Sequence, residues 1–289
     1  MCRLFGLSSA PQRTHATFWL LDAPDSLNDQ SHHDPDGTGL GYFDADGTPQ
    51  VHKAPMAAYQ DRVFAEEAKQ VQSETFLAHI RFASTGDLTT RNTHPFEQDG
   101  RLFAHNGVVE GLDALDAHLG EDRSLVHGDT DSERFFALIT REIRAAGGDV
   151  AAGVEQAAHW IAENLPLYSL NLILTTTDEL WALRYPDTHH LYALQRPAGG
   201  PHGTRHLDHC GTARRMRVHS AALSDTPCVV IASERMDDNP QWRPMAPGEL
   251  LHVGPDLQVT SRVVLPDAPA HRLTLDDLRP DAAASQTAA

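Results

Sequence analysis

The chain has 289 residues, 40% of them hydrophobic and 22% charged, with a formal net charge of −17. That length allows one large domain or two small ones with a full core, and the acidic field excludes a nucleic-acid backbone as partner. No apolar run approaches the roughly eighteen residues of a membrane span, and no basic stretch followed by an apolar core marks a signal peptide.

Residues 2–8 read as a strand, in which Leu4, Phe5 and Leu7 would hold the terminus still. Cys2 follows Met1 directly, and so small a residue lets methionine aminopeptidase remove Met1. The new first residue would carry a thiol of pKa about 8.5 and an α-amine of pKa about 7.7–8.0, a nucleophile with its own base. A cysteine in a frayed terminus is the plain alternative. Cys2, Cys210 and Cys228 are too few and too scattered for a disulfide framework. A reducing, cytoplasmic compartment is expected, which a free N-terminal thiol also needs.

Residues 11–34 are mixed, with an apolar patch at Phe18-Trp19-Leu20-Leu21. Asp34-Pro35-Asp36-Gly37 is a turn leading to a strand over 38–43, and Asp44-Ala45-Asp46-Gly47 turns it back through 50–53 as a hairpin. The glycines at 37, 39 and 41 do not fit a dinucleotide fingerprint and suit close approach by another backbone or a ligand. A helix is predicted over 58–72, with Phe64, Ala65, Ala68 and Val71 on one face. Strands follow at 75–82 and 101–105, the second ending in Asn106-Gly107. A short helix covers 112–119. A long one opens near Asp129-Thr130-Asp131, with Asp129 as a candidate N-cap, and buries Phe135, Phe136, Ile139 and Ile143. Another spans about 151–164. Strands are predicted at 169–177, 180–186, 190–194, 228–233, 249–253 and 258–264, residues 195–220 are read as irregular, and Pro280 to Ala289 as a disordered tail. Strands, then helices, then strands make an α+β pattern. One domain over 2–265 followed by a partly disordered tail, 266–289, is expected.

If Cys2 attacks an amide, the site needs oxyanion donors and a grip on the substrate. Asn106-Gly107 supplies a side-chain amide and a glycine N–H, although Asn-Gly is also the commonest hairpin turn. Arg81 sits in an otherwise apolar strand and requires a carboxylate partner, from the substrate or from a structural acid. Asp131 in the first turn of a helix is either a capping acid or the partner of an ammonium. Arg81 and Asp131 together would read the head of a free α-amino acid. No cofactor is called for.

Five pieces in order, Cys2-Arg3-Leu4-Phe5-Gly6, His79-Ile80-Arg81-Phe82-Ala83-Ser84, Thr93-His94-Pro95-Phe96, His105-Asn106-Gly107 and Gly128-Asp129-Thr130-Asp131-Ser132-Glu133, carry a resemblance. The chain resembles the class II glutamine amidotransferases of the N-terminal nucleophile hydrolase superfamily. The later segments Ile231-Ala232-Ser233-Glu234 and Trp242-Arg243-Pro244 are similar to its small stand-alone branch. The resemblance implies a four-layer αββα sandwich, two antiparallel sheets between helix layers. It implies that Cys2 attacks the γ-carboxamide of glutamine to give a γ-glutamyl thioester. Arg81 would hold the α-carboxylate and Asp131 the α-ammonium, Asn106 and Gly107 would form the oxyanion hole, and Thr93 and His94 would belong to the substrate site. The α-amine serves as base, so His79, His94 and His105 are read as structural.

The expected substrate is glutamine or a larger γ-glutamyl amide. Some stand-alone relatives cleave γ-glutamyl bonds in thiol metabolism. No synthase domain is recognised in the chain, so a separate ammonia-using partner is one expectation and plain hydrolysis the other. Two rival readings stand beside this one. His202, His206, His209 and Cys210 cluster in one segment but match no standard zinc spacing. A non-catalytic module could keep the fold to bind an amino acid or a partner, but would not need the free thiol.

Overall fold

The computed structural model describes residues 2–82, 87–198, 207–210, 217–220 and 226–287. Its first half holds β1 (Arg3–Ser8), α1 (Leu27–Gln30), β2 (Gly37–Phe43), β3 (Pro49–Ala54), α2 (Arg62–Gln70), β4 (Thr75–Arg81), β5 (Phe96–Gln98) and β6 (Arg101–Val109). Three helices follow, α3 (Leu112–Leu119), α4 (Asp131–Ala145) and α5 (Val150–Asn164), then β7 (Leu167–Thr175), β8 (Leu180–Arg184) and β9 (Tyr192–Arg196). The remainder comprises β10 (Leu207–Cys210), β11 (Arg217–Ser220), β12 (Cys228–Ala232), β13 (Arg243–Pro244), β14 (Glu249–Val253), β15 (Val259–Val263) and α6 (Pro280–Thr287).

The strands form two antiparallel sheets, ordered β13-β9-β12-β1-β4-β2-β3 and β15-β14-β8-β7-β6-β5, with β10 and β11 paired separately. Side-chain alternation stacks the layers. In β1, Phe5 and Leu7 pack with Phe18, Trp19 and Leu20 and with Phe64 and Ala68 of α2. Leu4 faces the other way and packs with Ile173, Leu180 and Leu251 of the second sheet. The outer face of that sheet, through Leu170, Leu172 and Leu174, meets Phe135, Phe136 and Ile139 of α4 and Val154, Ala157 and Ile161 of α5. The result is the expected sandwich, helices outside and two sheets within.

Local chemistry sets the element ends. Asp61 caps α2 by accepting from Val63 N and Phe64 N, which splits the predicted 58–72 helix into a 3₁₀ turn at Ala58–Gln60 and α2. Thr130, not Asp129, caps α4, its hydroxyl accepting from Glu133 N at 3.2 Å. Asp129 instead meets Arg91 and Asn92 across a loop. The Phe18–Asp22 patch forms a short π-helix that the sequence pattern did not define.

Three expectations are corrected. Asn106-Gly107 does not end a strand or make a turn: β6 runs on to Val109, and Asn106 and Gly107 pair with Asn171 and Leu170 of β7. The 195–220 region is not wholly irregular, since β10 and β11 pair from Leu207↔Ser220 to Cys210↔Arg217. The 280–289 segment is helical as far as Thr287, because Leu278 and Ala282 bury against Val108 and Tyr168. Its run of alanines also favours helix.

Two glycines answer to close backbone approach. A Cβ at Gly39 would lie 1.8 Å from the His94 carbonyl oxygen, and one at Gly107 would lie 1.9 Å from that of Ser169. Gly107→Ala is therefore expected to force β6 from β7 and lower thermal stability by more than Gly→Ala would at a glycine with room for a Cβ. Differential scanning calorimetry against Gly254→Ala, where an added Cβ would meet nothing closer than 3.4 Å, checks this.

Candidate active site

The first residues are pinned. β1 pairs with β4 on one side and β12 on the other. Ser233, just past β12, accepts from Leu4 N through its Oγ at 3.0 Å and donates its own N–H to Leu4 O at 3.1 Å. Arg3 reaches Asp34 at 3.5 Å, a pair almost wholly out of solvent. Cys2 is thereby held at the edge of the space between the sheets and only half-buried.

The Cys2 thiol lies 3.3 Å from Phe82 O and accepts from Phe82 N at 3.2 Å. Burial pushes its pKa up, and Asp34 adds to this; the Phe82 contact and the Arg81 charge pull it down. Asn106 Nδ2 donates to Cys2 O at 2.7 Å. An amide nitrogen carries two hydrogens, and this bond uses one of them.

Arg81 closes β4 opposite Gly37 and is 4% exposed. Its Nη1 donates to Asp87 O at 3.1 Å. Burial lowers its pKa, while the charges of Cys2, Asp36 and Asp131 raise it, so all three lie near enough to act on the guanidinium. Asp131 is held still at the start of α4, with Oδ2 accepting from Val109 N and Oδ1 from Ser132 N, both at 2.9 Å. Cys2, Arg81, Asn106 and Asp131, far apart in the chain, thus meet around one end of the inter-sheet space.

Thr93 and His94 lie further in. The Thr93 side chain packs near Gly37, beside Arg81, and its hydroxyl donates to Thr89 O at 3.0 Å. The His94 ring lies tilted against His79, centroids 4.2 Å apart, and meets Phe96 edge-on at 4.7 Å. Among the described residues no hydrogen bond joins either side chain to Cys2. His105 is fixed as well: its Nε2 donates to Ser169 O at 3.2 Å, which leaves Nδ1 to accept from Ser132 Oγ at 3.0 Å. With its one proton engaged there, it has none to exchange with Cys2. The side chains of His202, His206, His209 and Cys210 lie outside the described residues.

Burial holds His79 at about 3 and His94 well below the usual histidine range, with Arg81 adding to both. The unfolded chain therefore takes up protons first as pH falls below about 6.5. Stability is complete above that pH and declines below it, by up to about 1.4 kcal/mol per pH unit for each such imidazole. Urea melts at pH 7 and pH 5 should show a lower midpoint at pH 5, and His79→Gln should flatten the dependence.

Sequence reasoning passed over three contributors. Asp34 was read only as a turn residue, yet it is fully buried on Arg3. Asn171, a polar residue within the apolar run Leu170-Asn171-Leu172-Ile173-Leu174, gives the same signal as Arg81. It accepts from Tyr185 N and donates to the His189 and His190 carbonyls. Ser132, which orients His105, carries no signal of its own.

The family profile described as "Glutamine amidotransferases class-II" matches residues 1–267. The chain belongs to the class II glutamine amidotransferases. YafJ of Escherichia coli, itself named only as a candidate glutamine amidotransferase, is 28% identical over 262 residues, covering 86% of this chain and 96% of that protein. The γ-glutamyl-hercynylcysteine sulfoxide hydrolase of Mycolicibacterium smegmatis is also 28% identical, over 265 residues, covering 88% and 96%. Among solved structures, a glutamine aminotransferase class-II domain protein of Silicibacter pomeroyi superposes with a TM-score of 0.57 at 20% identity, covering 91% of this chain and 99% of that one. The glutamine phosphoribosylpyrophosphate amidotransferase of B. subtilis gives 0.64 at 18% identity, and this chain covers 50% of it. The fold is therefore the one shared by these solved amidotransferases, and the chain is an enzyme of the amidotransferase family. Among the described residues no helix is long and apolar enough to cross a membrane.

Proposed function

We propose that this class II amidotransferase hydrolyses the γ-amide of glutamine or of a γ-glutamyl compound through a γ-glutamyl thioester on Cys2, once Met1 has been removed. The observation that carries the reading is a thiol residue held by an amide donor, with a buried guanidinium that feels both that thiol and a buried carboxylate. Arg81 takes the substrate α-carboxylate and Asp131 its α-ammonium, so the two buried charges complement a zwitterionic head. Thr93, beside Arg81, shapes the head pocket, and His94 supports it from behind.

The Cys2 thiol gives its proton to its own α-amine, and the sulfur attacks the γ-carbon. The oxyanion is met by the second Asn106 Nδ2 hydrogen and by Gly107 N–H. The protonated amine then protonates the leaving nitrogen as the C–N bond breaks. Water adds to the thioester carbon and passes a proton to the amine. The C–S bond breaks, leaving a γ-carboxylate, and the sulfur regains its proton. The Mycolicibacterium smegmatis relative supports a γ-glutamyl amide as the substrate class. Transfer of ammonia to a separate synthase would share every step up to the thioester.

The test is product balance. Mature protein should release glutamate and amine in equal amounts from glutamine or a γ-glutamyl amide. Hydroxylamine should divert the acyl group to γ-glutamyl hydroxamate. Folded, Met1-free protein that forms neither product from any γ-glutamyl amide would sink the reading and favour a binding module.

A further inference from the structure

Residues 266–287 carry the chain across the end of the second sheet, past a family match that stops at residue 267. The crossing is tied at each step. Tyr185 Oη donates to Asp267 O at 3.0 Å, and Ala270 N to Ala162 O at 2.9 Å. Leu167 at the start of β7 donates to His271 O and accepts from Leu273 N, and Arg272 pairs with Asp187. The segment then turns at Leu275–Asp277 and enters α6.

The position of α6 follows from the pleat of β6. Ala104, Asn106 and Val108 share the face that looks between the sheets, where Ala104 packs against the first sheet. Leu278 and Ala282 bury on Val108 and Tyr168, one pleat beyond Asn106 on that same face. The other end of the helix is fastened by Gln286, whose Oε1 accepts from His189 Nε2 at 2.6 Å, both residues being buried. The His189 carbonyl accepts from Asn171 Nδ2, and Asn171 sits opposite Asn106 in the β6–β7 register. Asn106 in turn holds Cys2. Burial keeps His189 neutral, at about 4, and Arg3, the neighbour of Cys2, is among the charges pressing on it. Two chains of contact, through Val108 and through His189, thus lead from α6 to Asn106 and so to the opening through which the half-buried Cys2 meets solvent.

We infer that α6 is a wall of that opening and limits the bulk of the molecule that can reach the Cys2 thiol. As a substrate rule this rests on the function proposed above: γ-glutamyl amides with a compact leaving group are favoured over those with a bulky one. As a statement about access to Cys2 it stands apart from that reading.

The experiment compares intact protein with a chain ending at Arg279 and with Ala282→Arg, which cannot seat on Val108 and Tyr168. Each is treated with iodoacetamide and with a bulky aryl maleimide, and alkylation of Cys2 is followed by peptide mass spectrometry. Cys228, buried with its thiol pushed up to about 11, reports any global opening. The bulky reagent should gain about tenfold or more at Cys2 in both variants, since local opening no longer gates it, while iodoacetamide gains little and Cys228 stays unmodified. In a kinetic arm, the ratio of kcat/KM for a γ-glutamyl anilide over glutamine should rise in parallel. Unchanged maleimide-to-iodoacetamide ratios in folded Ala282→Arg would overturn the inference, whatever the truncation does. Faster alkylation in a protein without γ-glutamyl hydrolysis would keep the wall and remove the proposed function.

Discussion

Cys2→Ala is expected to abolish glutamate release, with a loss on the order of 10⁴-fold or more, while thermal stability changes little. Removing a nucleophile takes away the covalent route, and what remains is binding and oxyanion stabilisation. The stability expectation follows from position. Cys2 lies one residue ahead of β1, and the contacts that fix the strand belong to its neighbours, Arg3 on Asp34 and Leu4 on Ser233. Alanine is small enough for Met1 still to be removed. A second variant separates thiol from amine: one extra residue retained ahead of Cys2 keeps the sulfur but makes its base an amide. Activity should fall as steeply as in Cys2→Ala. If it survives there and fails in His105→Ala, a histidine base is the better explanation. That outcome would contradict the neutral, doubly bonded His105 of the structure.

Asn106→Ala should lower kcat by about 10²–10³-fold, the usual loss for one oxyanion donor. KM should move little, because the groups assigned to the substrate head, Arg81 and Asp131, are held by Asp87, Val109 and Ser132 rather than by Asn106. Asn106→Asp keeps the shape but replaces a donor with an anion beside a developing negative charge, and should be at least as slow. Steady-state kinetics with glutamine or a γ-glutamyl amide reads both. A large rise in KM with kcat preserved would move Asn106 from the oxyanion to the binding of the head.

The elements legible in the sequence were those whose burial shows as local alternation or helical spacing. β1 and α4 declare their buried residues in the apolar pattern, and the β2–β3 hairpin shows in its turn residues. Arg81 was legible because a charge stood in an apolar strand. Where sequence and structure part, a remote partner decides. Asn106-Gly107 has turn chemistry locally, but pairing with β7 draws it into a strand. Asp129 looks like a cap, but Arg91 and Asn92 engage its carboxylate and leave the cap to Thr130. The tail reads as polar and alanine-rich, and only Val108 and Tyr168 give its helix a surface to bury. The Arg3–Asp34 pair was hidden for the same reason, since 31 positions separate its members and a turn motif already accounted for Asp34. The order of the five motif pieces signalled the family more clearly than any one element.

The most direct measurement is an intact-mass spectrum of purified, untagged protein before and after incubation with a glutamine-like diazoketone. The expected result is a chain lacking Met1 that gains one adduct, mapped to Cys2 and suppressed by excess glutamine. Folded protein that keeps Met1, or that exposes Cys2 at its terminus yet takes no adduct there, would contradict an N-terminal cysteine that reads a glutamine-like head.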